Sequence, residues 1–167
     1  MQSFFASKKI GDTAENAIVR LFTKMGFECT KNKIRKEFSY YDILCRSGNS
    51  ELKVEVKNDV KATKTGNMCI EYYNPRSQKS SGVGITQADV WAHVIGSQAL
   101  LFKVPMLKKM LEDVPPFRNI MLGGDDNSRF YLYRIESVLP YASANIDLED
   151  NAITSEFSQK IKNEFFS

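Results

Sequence analysis

Asp42, Glu55 and Lys57 are the residues whose types and spacing carry chemistry. Glu55 and Lys57 stand two apart in the alternating run Lys53-Val54-Glu55-Val56-Lys57. On a strand, such positions share one face, with Cα atoms roughly 7 Å apart. The segment before it, Phe38 to Arg46, reads as a partner strand with Asp42 in its middle, joined through the turn Ser47-Gly48-Asn49-Ser50. A hairpin of this kind sets Asp42 beside Glu55. Two carboxylates and one ammonium then share a sheet face. Paired carboxylates make a hard oxygen site suited to Mg²⁺, with Mn²⁺ able to substitute, and the Val56 carbonyl supplies a further ligand. The lysine beside them can hold or help deprotonate a water and stabilise developing negative charge. The chemistry is metal-assisted phosphodiester hydrolysis. The same alternation also suits a solvated strand face with cross-strand ion pairs.

The surrounding elements have to position this set. A helix is expected from about Thr13 to Met25, with Ala14, Ala17, Ile18, Leu21, Phe22 and Met25 as its apolar stripe, Asp12 as N-cap and Gly26 as its stop. Glu15 then either completes a capping box or joins the acidic site. The hairpin strands follow, then a third strand at Asn67 to Tyr73 bearing Glu71. Asn74 to Gly84 reads as a loop. A helix is expected from Thr86 to about Ile95, a strand from Gln98 to Val104, and a short helix from Pro105 to Asp113. Phe130 to Ile135 reads as a strand, and Ser155 to Phe165 as a closing helix. The order is α-β-β-β-α-β-α-β-α, an α/β fold with a central sheet flanked by helices.

In this order, Glu15 on the first helix, Asp42 on a strand and Glu55-Val56-Lys57 on the next, the chain resembles the PD-(D/E)XK nuclease superfamily over about residues 11 to 95. The resemblance implies a restriction endonuclease-like mixed sheet. It implies metal ligation by Asp42 and Glu55, a catalytic Lys57, and a site completed by Glu15. The spacing is most similar to that of archaeal Holliday junction resolvases. Tyr41 stands where the name motif has proline. Ser81 to Trp91 resembles a Gly-Ile…Thr…Ala-Asp-x-Trp pattern of phage and restriction-type nucleases. The resemblance thus implies a DNA endonuclease acting on branched recombination or replication intermediates, commonly as a homodimer. A restriction-type or phage genome-processing nuclease is the alternative, and a non-catalytic nucleic-acid-binding module of the same fold a further one.

Composition sets the bounds. The chain has 167 residues with 43% hydrophobic and 26% charged, enough for one globular domain without disulfides. We expect a nuclease core over about 11–104 and an acidic extension over 105–167 packed on it. Residues 1–64 carry 13 basic against 8 acidic side chains, 65–118 carry 6 against 4, and 119–167 carry 4 against 8. The basic first half permits a polyanion partner. Lys31, Lys33, Arg35 and Lys36 precede the Asp42 strand, and Arg76, Gln78 and Lys79 follow the third; each group is a candidate DNA-backbone contact or a solvated surface. The one histidine, His93, excludes zinc fingers and multi-histidine sites and reads as a core or interface residue, and Trp91 as a core or dimer-interface anchor. Cys29, Cys45 and Cys69 form no C-x-x-C pair and read as reduced small hydrophobes. No P-loop is present, so no nucleotide cofactor is expected. No apolar run reaches the ~20 residues of a membrane span. The expected location is the cytoplasm.

Overall fold

The computed structural model describes residues 4–32, 40–74, 78–121, 128–149 and 155–166. The first helix, α1 (Phe4–Lys24), starts well before the expected boundary. Asp12 and Glu15 are therefore interior helical residues, and the N-cap and capping-box assignments do not hold. The stripe itself is as expected: Ala14, Ile18, Leu21, Phe22 and Met25 are buried. The helix ends at Gly26, whose φ of 85° is left-handed. There the Gly26 N–H bonds the Thr23 carbonyl at 2.9 Å and the Phe27 N–H bonds the Phe22 carbonyl at 3.0 Å. This is a Schellman closure, and the Phe22 and Phe27 rings meet edge-on across it at 5.5 Å.

The described residues form ten strands in two sheets. The first has six, in order β1 (Glu28–Lys31), β2 (Ile43–Ser47), β3 (Ser50–Asn58), β6 (Val90–Ile95), β7 (Gln98–Lys103) and β10 (Ala144–Asp147). Only β3 and β6 run parallel, so the central sheet is mixed. The second has four, in order β5 (Lys79–Ser80), β4 (Asn67–Asn74), β9 (Arg129–Arg134) and β8 (Arg118–Met121), all antiparallel. Short helices α2 (Ala62–Thr65) and α4 (Ile135–Val138) join strands; α3 (Val104–Asp113) and α5 (Ser155–Phe166) pack on the sheets. Residues beyond 104 thus build β8 and β9 into the second sheet and β10 into the first.

The central sheet is covered on both faces. One face packs Val54, Val90, Ala92 and Leu101 under α1, with Ile161 of α5. The other packs Trp91, Leu100 and Phe102 against Met68, Ile70 and Tyr133 of the second sheet and Leu107 and Met110 of α3. This double burial explains the main departure from expectation: Val90 to Ile95 is a strand, not the end of a helix from Thr86. A strand buried on both faces loses its alternation and becomes a continuous apolar run, which periodicity cannot separate from a buried helix. The expected element order therefore has a helix in place of β6. It also lacks β1, β5, β8 and β10 and the helices α2 and α4, each of four residues or fewer. Cys29 and Cys45, directly opposed across the β1–β2 pair, are joined as a disulfide, while Cys69 is free. No helix among the described residues is long and apolar enough to cross a membrane.

Candidate functional site

β3 places the site. Its even residues Leu52, Val54 and Val56 turn toward α1, so Lys53, Glu55 and Lys57 turn to the opposite face. Glu55 and Lys57 are half-buried there, in register with Trp91 and His93 of β6.

Asp42 does not sit within a strand; it is the residue before β2. Its backbone is held from both sides. The Asp42 N–H donates to the Val54 carbonyl at 2.9 Å, and its own carbonyl accepts the Asn32 N–H at 2.7 Å. The side chain then crosses to β3, where the Val56 N–H donates to Asp42 Oδ2 at 2.8 Å. β2 pairs with β3 only as far as Val54, so the carboxylate occupies the edge that β2 has vacated. A strand residue presents its N–H and C=O to the same neighbour, so the Val56 carbonyl faces that edge too. Asp42 is thereby fixed to the backbone between Glu55 and Lys57.

Glu15 Oε2 lies 3.1 Å from Lys31 Nζ, one residue before the Asn32 that holds Asp42. Lys31 is thus engaged with Glu15 rather than presented alone. Among the described residues no three His, Cys, Asp or Glu side chains group closely enough to hold a metal. The oxygen donors near the Asp42–Val56 bond that could serve a metal are the Asp42 and Glu55 carboxylates and the Val56 carbonyl, types that suit Mg²⁺, which takes one or two carboxylates and retains waters. Glu71 accepts a bond from the Ser81 hydroxyl at 2.9 Å and is tied to the turn at Gly82–Gly84. Gln78 is exposed with φ 53°, and Lys79 opens β5. Lys33, Arg35, Lys36 and Arg76 lie outside the described residues.

Sequence reasoning missed Asp59. It continues the series Glu55, Lys57 at the same spacing of two, and that continuation was the available signal. Its N–H extends the parallel ladder to the Val94 carbonyl at 2.8 Å. Its buried carboxylate accepts the Cys69 N–H at 2.8 Å and the Ala62 N–H at 3.2 Å, and lies 3.2 Å from His93 Nε2. On the other side of the imidazole, Trp91 Nε1 donates to His93 Nδ1 at 3.3 Å. Nδ1 is therefore the acceptor, and Nε2 carries the proton that faces Asp59. Burial holds the His93 pKa below its usual value, against the opposing pull of Asp59. Burial raises the Asp59 pKa, but the His93 bond and the two backbone N–H groups outweigh it and leave the carboxyl below its usual range. Burial pushes the Cys69 thiol up to about 11.

A pH dependence follows. An unfolded histidine takes a proton near pH 6.5 while folded His93 stays neutral, so stability falls as pH drops below about 6.5, by up to about 1.4 kcal/mol per pH unit. Asp59, with its folded pKa depressed, adds its own loss only at more acidic pH. Denaturant titrations from pH 7.5 to 5 should show the first decline in the wild type and a flatter profile in His93→Gln. Equal slopes in both proteins would exclude His93 as its origin.

No family model matches the chain, and no curated protein matches it. Among solved structures it is similar to a bacterial homing endonuclease, I-Ssp6803I, at a TM-score of 0.48 and 24% identity over 59% of this chain and 70% of that one. It is also similar to Hjc of Archaeoglobus fulgidus, a Holliday junction resolvase from an archaeal hyperthermophile, at a TM-score of 0.45 and 15% identity over 79% of this chain and 88% of that one. Both are nucleases. What each of them acts on is a property of that protein.

Proposed function

We propose that the chain is a Mg²⁺-dependent DNA endonuclease of the PD-(D/E)XK type. The observation that carries this reading is the bond from the Val56 N–H to the Asp42 carboxylate, which anchors one acid between Glu55 and Lys57. A lone solvated ion pair on a strand needs no such anchor.

In this reading Asp42, Glu55 and the Val56 carbonyl would hold the metal, which when bound would acidify a water and offset charge on the scissile phosphate. The Val56 N–H fixes Asp42 Oδ2 and so orients the carboxylate before substrate arrives. Lys57 holds the attacking water or takes its proton, and stabilises negative charge on the phosphate as the bond to water forms. Glu15 orients Lys31 at the Asp42 end of the sheet. Lys31, Lys33, Arg35, Lys36, Arg76, Gln78 and Lys79 contact the DNA backbone. The substrate is a branched recombination or replication intermediate, cut by a homodimer that supplies one site per strand, in the cytoplasm.

The test is a cleavage assay on labelled four-way junction, matched linear duplex and single strand, with Mg²⁺ or Mn²⁺, comparing wild type and Lys57→Ala. Wild type should cut the junction preferentially, and Lys57→Ala should lose about a hundredfold or more in rate, as expected for a general base. Preferential cutting of linear duplex would move the reading to a restriction-type or genome-processing nuclease. No cutting of any substrate would overturn the catalytic reading.

A further inference from the structure

We infer that the β8–β9 end of the second sheet is a DNA-backbone contact surface centred on Arg118, Arg134 and Phe117; the inference rests on the nuclease reading. The average charge of residues 119–167 is acidic, yet the average conceals a segregation. The acids of that stretch lie outside β8 and β9; β9 carries Arg129 and Arg134, β8 opens on Arg118 just before the stretch begins, and neither strand holds a carboxylate. Phe117 is 49% exposed. The Arg134 guanidinium lies 4.4 Å from its ring centre and that of Arg118 5.7 Å from it. Both arginines are exposed. Neither has a carboxylate partner among the described residues, whereas Arg46 pairs with Glu51, Lys31 with Glu15, Lys103 with Glu164 and Lys109 with Asp113.

The two guanidiniums are no farther apart than about 10 Å, within one Debye length at 0.1 M salt, so they repel. One of them suffices for a cation–π contact with Phe117. Keeping two charges over one ring without a counter-charge is favourable when an anion bridges them, and the planar fork of arginine suits phosphate oxygens. A third arginine, Arg129 at the start of β9, lies 5.4 Å from the Tyr73 ring centre and likewise has no carboxylate partner among the described residues. Unpaired arginines resting on surface aromatics are the chemistry of a nucleic-acid backbone track. The occupant is the DNA flanking the cleavage point.

Fluorescence anisotropy of a labelled duplex, with Ca²⁺ replacing Mg²⁺, tests this between about 50 and 200 mM salt. Arg118→Ala/Arg134→Ala should bind about tenfold more weakly than wild type, and its log K against log salt slope should be shallower by about two. Arg118→Lys/Arg134→Lys should keep most of the slope, because it keeps both charges. An alanine pair with wild-type affinity and slope, in a protein that still cuts DNA, overturns the surface alone. A lysine pair as impaired as the alanine pair also overturns it, because the loss would not then follow charge. A wild type that neither binds nor cuts DNA removes the surface together with the nuclease reading.

Discussion

Replacing Asp42 by asparagine is expected to slow cleavage by at least about a thousandfold, the loss of several kcal/mol of metal-dependent stabilisation. Asparagine is the informative change because it separates the two things the carboxylate does. One Asp42 oxygen accepts the Val56 N–H, and an amide oxygen can accept the same bond. The β2-side edge of β3 therefore keeps its partner, and the fold should melt within about 1 kcal/mol of wild type. Only the negative charge and the second metal-seeking oxygen are lost. Asp42→Ala would in addition leave the Val56 N–H without its acceptor, mixing a folding defect into the rate. Single-turnover cleavage at saturating Mg²⁺, run beside thermal melts, separates the two effects. A variant that still cuts within tenfold of wild type would remove Asp42 from the metal site.

The largest effect on stability is expected away from that site. Asp59→Ala should lower folding free energy by about 3 to 5 kcal/mol, because several buried donors are left without an acceptor at about 1 to 3 kcal/mol each. For a chain of this size that is a fall of roughly 10 °C or more in the melting midpoint. Two backbone donors, those of Cys69 and Ala62, lose their acceptor, and the fully buried His93 loses the group that faces Nε2. The Cys69 bond also crosses from the end of β3 to β4, so the change loosens the seam between the two sheets. Asp59→Asn should be milder, because its amide oxygen can still take one of the N–H groups. Denaturant unfolding of the three proteins provides the comparison. A loss under about 1 kcal/mol for the alanine variant would mean that water enters and satisfies these donors.

How far the sequence was legible differs from element to element. The α1 stripe could be read because one face of that helix is buried and the other is wet. β3 could be read over Leu52 to Lys57 for the same reason. β6 could not, because packing on both sides removes the contrast that periodicity measures. The strands of four residues or fewer leave too short a pattern to count. The pairing of Cys29 with Cys45 depends on the register of β1 against β2 and leaves no trace in spacing. The candidate site was legible in its types: Glu55 and Lys57 stand on one face as their separation requires, and Asp42 bonds the backbone between them. What could not be read was how Asp42 arrives, from the residue before a strand with a side chain bonded to the neighbouring backbone. The link of Asp59 to His93 spans 34 positions of sequence and exists only because β3 and β6 run parallel.

That parallel pairing also gives the chain an internal light source at a useful address. Trp91 is the sole tryptophan. It stands opposite Glu55 on the neighbouring strand, and its indole N–H is bonded to His93. All indole emission from the folded chain therefore originates one strand away from the acidic pair. Its wavelength and yield report the field of that neighbourhood, so metal arriving beside Glu55, or a proton arriving on His93, perturbs the same chromophore without any attached label.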